Sequence, residues 1–225
     1  MLANRPFGMY NSKYVQGGNH SMATKRALKG EITREKILEA AAEEIYRVGF
    51  RGASLSEILN KLGVSKGALY HHFPDKLSLG YAVLEECFGM KLMRKWQQAF
   101  ECGDPITGTI NMLDQQASMD CKDTLCCGCP INNLATEMSP VDEGFRERIE
   151  TIYDKWHQQI AGAFAVAQAN GTVSKRQDPV EIAYFIIATI QGAIGLAKNA
   201  QCNDVFGDAV KGLTIYLESM RQRAA

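Results

Sequence analysis

The stretch Ser54 to Lys76, SLSEILNKLGVSKGALYHHFPDK, constrains the fold of this chain more than any other. Ser54 and Glu57 have the S-x-x-E spacing of a capping box, which satisfies orphan amides at a helix start, and Leu55, Ile58, Leu59 and Leu62 follow at helical spacing. Gly63 tolerates the left-handed backbone that ends a helix. Ser65 then caps a second helix, expected over about Lys66 to Phe73 and closed by Pro74. Two short helices joined by a turn that opens on Gly make a helix-turn-helix, whose second helix lies in the DNA major groove. Away from the packing pair Ala68 and Leu69, the outward residues are Lys66, Gly67, Tyr70, His71 and His72. Small residues at the helix start admit base edges, while Lys, Tyr and His donate to phosphate oxygens. An ordinary helical hairpin in a core has the same helix-Gly-helix pattern, and the residue chemistry leaves both readings open.

The run Ser54, Ile58, Gly63-Val64-Ser65-Lys66-Gly67, Leu69-Tyr70, His72-Phe73 and Lys76 resembles the DNA-binding signature of the tetracycline-repressor (TetR) family of bacterial regulators. The resemblance continues upstream through Thr33, Ile37, Ala40, Ala41, Gly49-Phe50 and Ala53. Leu59 and Leu62 stand where that family usually has Ala, so the first motif helix is expected to be slightly repacked. The resemblance implies an all-α protein of about nine helices, with a helix-turn-helix head over residues 22–76 and a ligand-binding and dimerisation body over 77–225. It implies transcriptional repression by a homodimer that a small-molecule effector releases from a palindromic double-stranded DNA operator. It places Thr33, Ser54, Ser65, Lys66, Gly67, Tyr70, His71, His72 and Lys76 at the DNA. Of these, Lys66, Tyr70 and His71 are the expected groove readers, with Ser54, Ser65, His72 and Lys76 on phosphates.

Charge agrees with that division. The chain of 225 residues is 46% hydrophobic, ample for a core, and its formal net charge is zero. Residues 22–76 nevertheless hold 10 basic against 7 acidic side chains, and residues 77–225 hold 13 against 18. The basic excess falls on the DNA motif, as an electrostatic footprint does, although a mixed solvated surface looks much the same. The best candidate for an apolar span, Ile182 to Ala197, is 16 residues, contains Thr189 and Gln191 and reads as a buried helix, so no membrane segment is expected. With no hydrophobic signal region, the expected location is cytoplasmic. Residues 1–21 lack periodicity and hold Gly17-Gly18-Asn19-His20, which reads as a disordered leader or an expression remnant.

Further along the chain, Thr33 is the expected cap of a helix burying Ile37, Leu38, Ala41, Ile45 and Val48, with Lys25, Arg26 and Lys29 as a basic arm before it. By resemblance, Thr33 and Arg34 at that helix start lie near the DNA backbone. Asp75 caps a helix over 76–100 carrying Leu77, Tyr81, Leu84, Phe88, Leu92 and Trp96. Five more helices are expected near 106–119, 130–138, 141–170, 179–199 and 204–221. In the last, Phe206, Val210, Leu213, Leu217 and Met220 form a coiled-coil-like seam. With Ile187, Gln191 and Ile194 of the helix before it, Phe206, Val210, Leu213 and Leu217 are the expected dimer interface, packing within one monomer being the competing explanation.

Seven cysteines, an odd number without an export signal, argue for reduced thiols. Cys126-x-x-Cys129 has half the spacing of a zinc site, but no second Cys or His pair follows, and neither metal nor cofactor is expected. Cys129 sits at an expected helix N-terminus, which raises thiol reactivity and makes electrophile sensing an alternative to simple apolar filling. Gly128-Cys129-Pro130, Asn133-Leu134-Ala135 and Glu137 also resemble a motif in a TetR-family subset, some of whose members respond to thiols or electrophiles. Trp96, Cys129, Asn133, Trp156 and Gln191 are the candidate ligand pocket, with Tyr153 beside Trp156. Catalysis is not expected: no nucleophile and base are paired, and His71 and His72 diverge on a helix. A helical protein-interaction dimer remains as another class, distinguished by the absence of salt-dependent association with duplex DNA.

Overall fold

The computed structural model describes residues 22–119 and 127–222, with side chains from Thr33 onward. Among the described residues the chain forms nine helices and no strand. They are α1 (Met22–Gly52), α2 (Leu55–Leu62), α3 (Lys66–His72), α4 (76–100), α5 (Pro105–Ala117), α6 (Pro130–Met138), α7 (Glu143–Ala169), α8 (Pro179–Ala200) and α9 (Asn203–Ser219). The all-α architecture expected from the sequence is thus present. Helix α4 is α-helical over Lys76–Ala82, π-helical over Val83–Gly89 and α-helical again over Met90–Phe100. Periodicity gave no sign of the π segment. The expected leader, and Cys121 and Cys126 of the cysteine-rich loop, lie outside the described residues.

The start of α1 corrects one expectation. The helix begins at Met22, so Thr33 lies inside it rather than capping it. Ala23, Lys25, Arg26, Ala27, Leu28 and Lys29 are strong helix formers, and the single Gly30 does not offset them. The expected end does occur at Gly49, whose φ of 80° and ψ of 168° break the helical path. Val48, expected in the core, is instead exposed.

The chain divides into two units, Met1–Cys87 and Phe88–Ala225. In the first, α1 packs on α2, α3 and the start of α4. Ile37, Ala41, Ile45, Phe50, Ile58, Leu59, Leu69, Phe73 and Leu79 are buried there. Leu59, which replaces a small residue of the family pattern, is accommodated inside this core.

In the second unit the core gathers Trp96, Ile106, Leu113, Trp156, Ile160, Phe164, Ile182, Ile186, Ile190, Phe206, Val210, Leu213 and Leu217. Gly108 lets α5 cross close to the end of α4, since a Cβ there would lie 1.9 Å from the Ala99 carbonyl oxygen. By length and composition alone, α8 is apolar enough to cross a membrane. Eight of its residues, Ile182, Ala183, Ile186, Ile187, Ile190, Ala193, Ile194 and Ala197, are nonetheless buried inside this unit.

The expected dimer seam is also corrected. Ile187, Ile194, Phe206, Val210, Leu213 and Leu217 are all buried within their own unit, and Gln191 is half-buried beside Cys129. The 4-3-4-3 seam is the contact of α9 with α8 and α5 rather than a surface. A different face of the last two helices points outward. It carries Tyr184, Phe185 and Leu196 of α8 and Ile215 of α9, exposed by 59%, 46%, 62% and 73%.

Candidate nucleic-acid interface and ligand site

The two motif helices form as their local chemistry dictates. The Ser54 hydroxyl accepts from the Glu57 amide at 3.4 Å, and Gly63, at φ 64° and ψ 28°, ends α2 in the left-handed conformation. The Ser65 hydroxyl accepts from the Ala68 amide at 3.3 Å and starts α3. Asp75 and Ser78 exchange side-chain and backbone hydrogen bonds in a full capping box that starts α4. These caps fix the two helix axes, and Leu69 and Phe73, both buried, fasten α3 onto the head.

The opposite face of α3 is open. Lys66, Gly67, Tyr70 and His71 are exposed, and His72 is half-buried. A Cβ on Gly67 would meet only the Ser65 hydroxyl, at 3.9 Å. The space outside Gly67 is therefore open. Ser54 and Ser65 use an oxygen lone pair for capping, which leaves each hydroxyl proton able to donate.

Two of the expected phosphate contacts have surroundings of note within the head. Burial, with the neighbouring His71 and Arg34, pushes the His72 imidazole down from its ordinary range, so the ring is neutral near pH 7. Lys76 donates to the Arg51 carbonyl oxygen at 3.2 Å and lies 5.0 Å over the Phe50 ring, closing the end of α1. Arg34 also has an intramolecular task. Its guanidinium makes two hydrogen bonds to Glu86 in the π segment, at 2.8 and 2.6 Å, and lies 5.2 Å from the Phe73 ring centroid. It thereby ties α1 to both α4 and the end of α3.

Four of the five candidate pocket residues come together in the second unit. The Trp96 and Trp156 rings are 5.8 Å apart, Tyr153 stacks on Trp156 at 6.1 Å, and the Gln191 amide nitrogen lies 3.5 Å from the Cys129 sulfur. The fifth, Asn133, turns away to the loop carbonyl of Cys127 at 2.6 Å and to Lys198 at 3.0 Å. Two neighbours that sequence reasoning passed over are Lys95 and Gln116, whose side chains hydrogen-bond to each other. A helical lysine gives no signal of burial in a sequence. Here desolvation lowers the Lys95 ammonium to about 8, the Cys129 sulfur opposing the shift and Lys91 adding to it. Among the described residues, no group of three His, Cys, Asp or Glu side chains is gathered to hold a metal.

A Gly-turned helix pair whose second helix is anchored on one side and open on the other has the geometry of the helix-turn-helix of DNA-binding transcriptional regulators. Comparison with known proteins agrees over most of the chain. Residues 37–82 match the model of bacterial regulatory proteins of the tetR family, and residues 111–213 that of the tetracyclin repressor-like C-terminal domain. An uncharacterized HTH-type transcriptional regulator in the lacX 3′ region of Lactococcus lactis subsp. lactis is 31% identical, over 75% of this chain and 85% of its own. The HTH-type transcriptional repressor DhaR of a Mycobacterium strain is 27% identical, over 83% and 91%. A TetR transcriptional regulator from Chloroflexus aurantiacus superimposes with a TM-score of 0.73 at 27% identity, covering 88% of this chain and 100% of that one. The chain belongs to the tetR family of bacterial regulatory proteins.

Proposed function

We propose that this regulator is a homodimeric repressor whose two α3 helices enter successive major grooves of a palindromic operator, and that a small molecule bound in the second unit releases it. The observation that carries the DNA-reading part is the division of α3 into a buried Leu69 and an open face of Lys66, Gly67, Tyr70 and His71. Lys66 and Tyr70 read or position at the groove edge, His71 lies beside them, and the hydroxyls of Ser54 and Ser65 donate to phosphates. Neutral His72 and engaged Lys76 serve mainly to hold the head together. The start of the family pattern at Thr33 has no helix end to offer a phosphate.

Dimerisation uses the outward face of α8 and α9. Tyr184, Phe185, Leu196 and Ile215 supply apolar area, and nothing lies within 4 Å of a Cβ built on Gly192, Gly195 or Gly212, so a partner helix can approach closely. Release follows if the ligand binds better to a dimer whose heads do not match the operator spacing. Trp96, Cys129, Trp156 and Gln191 line that ligand site, joined by Lys95, Gln116 and Tyr153.

The operator is obtained by selecting bound fragments from genomic DNA. Lys66→Ala and Tyr70→Ala then weaken its binding about tenfold each, the loss of one good contact, with unchanged thermal melting. Unchanged affinity for both variants in a gel-shift titration refutes the assignment.

A second reading, thiol sensing, is supported by one feature. Cys129 is a free thiol at the N-cap of α6 with the Gln191 amide on its sulfur.

A further inference from the structure

Lys95 is a cation in surroundings that do not suit one. The aromatic rings of Trp96, Phe100, Tyr153 and Trp156 are stacked or tilted against one another in the same unit, and Lys95 and Tyr153 both lie near the Cys129 sulfur. Its hydrogen-bond partner is the neutral Gln116 amide, and among the described residues no carboxylate reaches it. Lys95 is half-buried, and an ammonium withdrawn from much of its water is costly unless an anion or several dipoles compensate it. Among the described residues, the buried side-chain atoms of the same unit that have no hydrogen-bond partner include the Trp156 indole nitrogen, a donor on a residue 2% exposed, and Oε1 of Gln191. Buried polar atoms are rarely left unmade without a reason. The ammonium and the indole N–H are donors that suit an anionic acceptor, and the flat apolar rings suit an aromatic body.

We propose that the second unit binds an aromatic monocarboxylate, its carboxylate on Lys95 and its ring against Trp96, Tyr153 and Trp156. This rests on the reading of the cluster as the effector site and names the effector's chemical class. The carboxylate accepts hydrogen bonds from the ammonium and supplies the missing counter-charge, and ring stacking contributes the apolar share. A neutral amide of the same shape stacks equally well but leaves the ammonium uncompensated. Discrimination between acid and amide is therefore the signature of the site.

The protein carries its own reporter, because Trp96 and Trp156 are the chain's 2 tryptophans. The full-length protein is titrated with benzoate, phenylacetate and cinnamate and with their amides, following tryptophan fluorescence and thermal melting up to about 10 mM, the range suited to fragments of this size. At least one acid is expected to quench fluorescence and raise the melting temperature at concentrations about tenfold below its amide. Lys95→Met is expected to remove that preference while leaving the unliganded protein folded and no less stable, since a half-buried charge is replaced by an apolar stem of similar length. Lys95→Gln serves as the second variant if methionine disturbs the fold. Equal binding of acids and amides, or an acid preference that survives in both variants, overturns the anion assignment. So does the absence of any response to the acids. The broader reading is judged separately, by whether any small molecule releases the operator. A neutral effector that does so and shifts the fluorescence leaves that reading standing and this one refuted.

Discussion

Glu44 offers a test of how the head is held, because its ion pairs are one-sided. The carboxylate on α1 is 2% exposed, whereas its partners Arg47, at 2.7 Å, and Lys61 on α2, at 3.3 Å, have side chains 61% and 54% exposed. Glu44→Gln removes the buried charge and leaves two cations mostly in water. Its cost is the loss of two screened, charge-assisted hydrogen bonds, about 1 kcal/mol. Replacing Arg47 and Lys61 together by alanine instead leaves the carboxylate without either partner, and an unpaired shielded acceptor costs about 2–3 kcal/mol. The pH dependence separates the two cases further. In the natural protein burial pushes the Glu44 carboxyl up, but hydrogen bonds from Arg47 and Lys61 outweigh this and hold it below its ordinary value. Its contribution is therefore present above the unfolded carboxylate pKa and is lost as pH falls through the lower folded value. In the double variant only burial remains, the folded pKa lies above the unfolded one, and lowering the pH from about 7 to 5 restores stability relative to the natural protein. Urea unfolding followed by circular dichroism at the two pH values measures both effects. If the double variant costs no more than Glu44→Gln and shows no gain on acidification, the carboxylate is solvated and the reasoning fails.

Three further outcomes follow from the second unit. Ile215→Glu with Leu196→Glu should convert a dimer to a monomer in sedimentation velocity with little change in helicity, whereas Phe206→Ala should cost about 3–5 kcal/mol of stability as a core truncation. A dimer that survives the two glutamates rules out the outward face as the interface. Cys129→Ser should retain operator affinity. If thiol chemistry triggers release, the variant loses its response to oxidants and electrophiles, and a response that persists in gel shifts eliminates that reading.

What the residues announce in advance is whatever depends on near neighbours. The caps at Ser54, Ser65 and Asp75, the left-handed Gly63 and the break at Gly49 each follow from a side chain or a missing Cβ acting within four residues. That was enough to place the helix-turn-helix and its open face. The start of α1 was misplaced because Thr33 is an adequate cap but the residues before it form helix readily, and a cap acts only where the preceding chain leaves the helix. Tertiary structure alone decided the rest. A helical seam such as Phe206–Val210–Leu213–Leu217 states that it must be covered, not by what, and here α8 and α5 of the same chain cover it. Likewise the half-buried position of Lys95 beside Gln116 and the bonding of Asn133 to Cys127 and Lys198 depend on which helices converge around them. The hydrophobic effect is non-directional and fixes how much surface is hidden, while only the packed geometry chooses the partner.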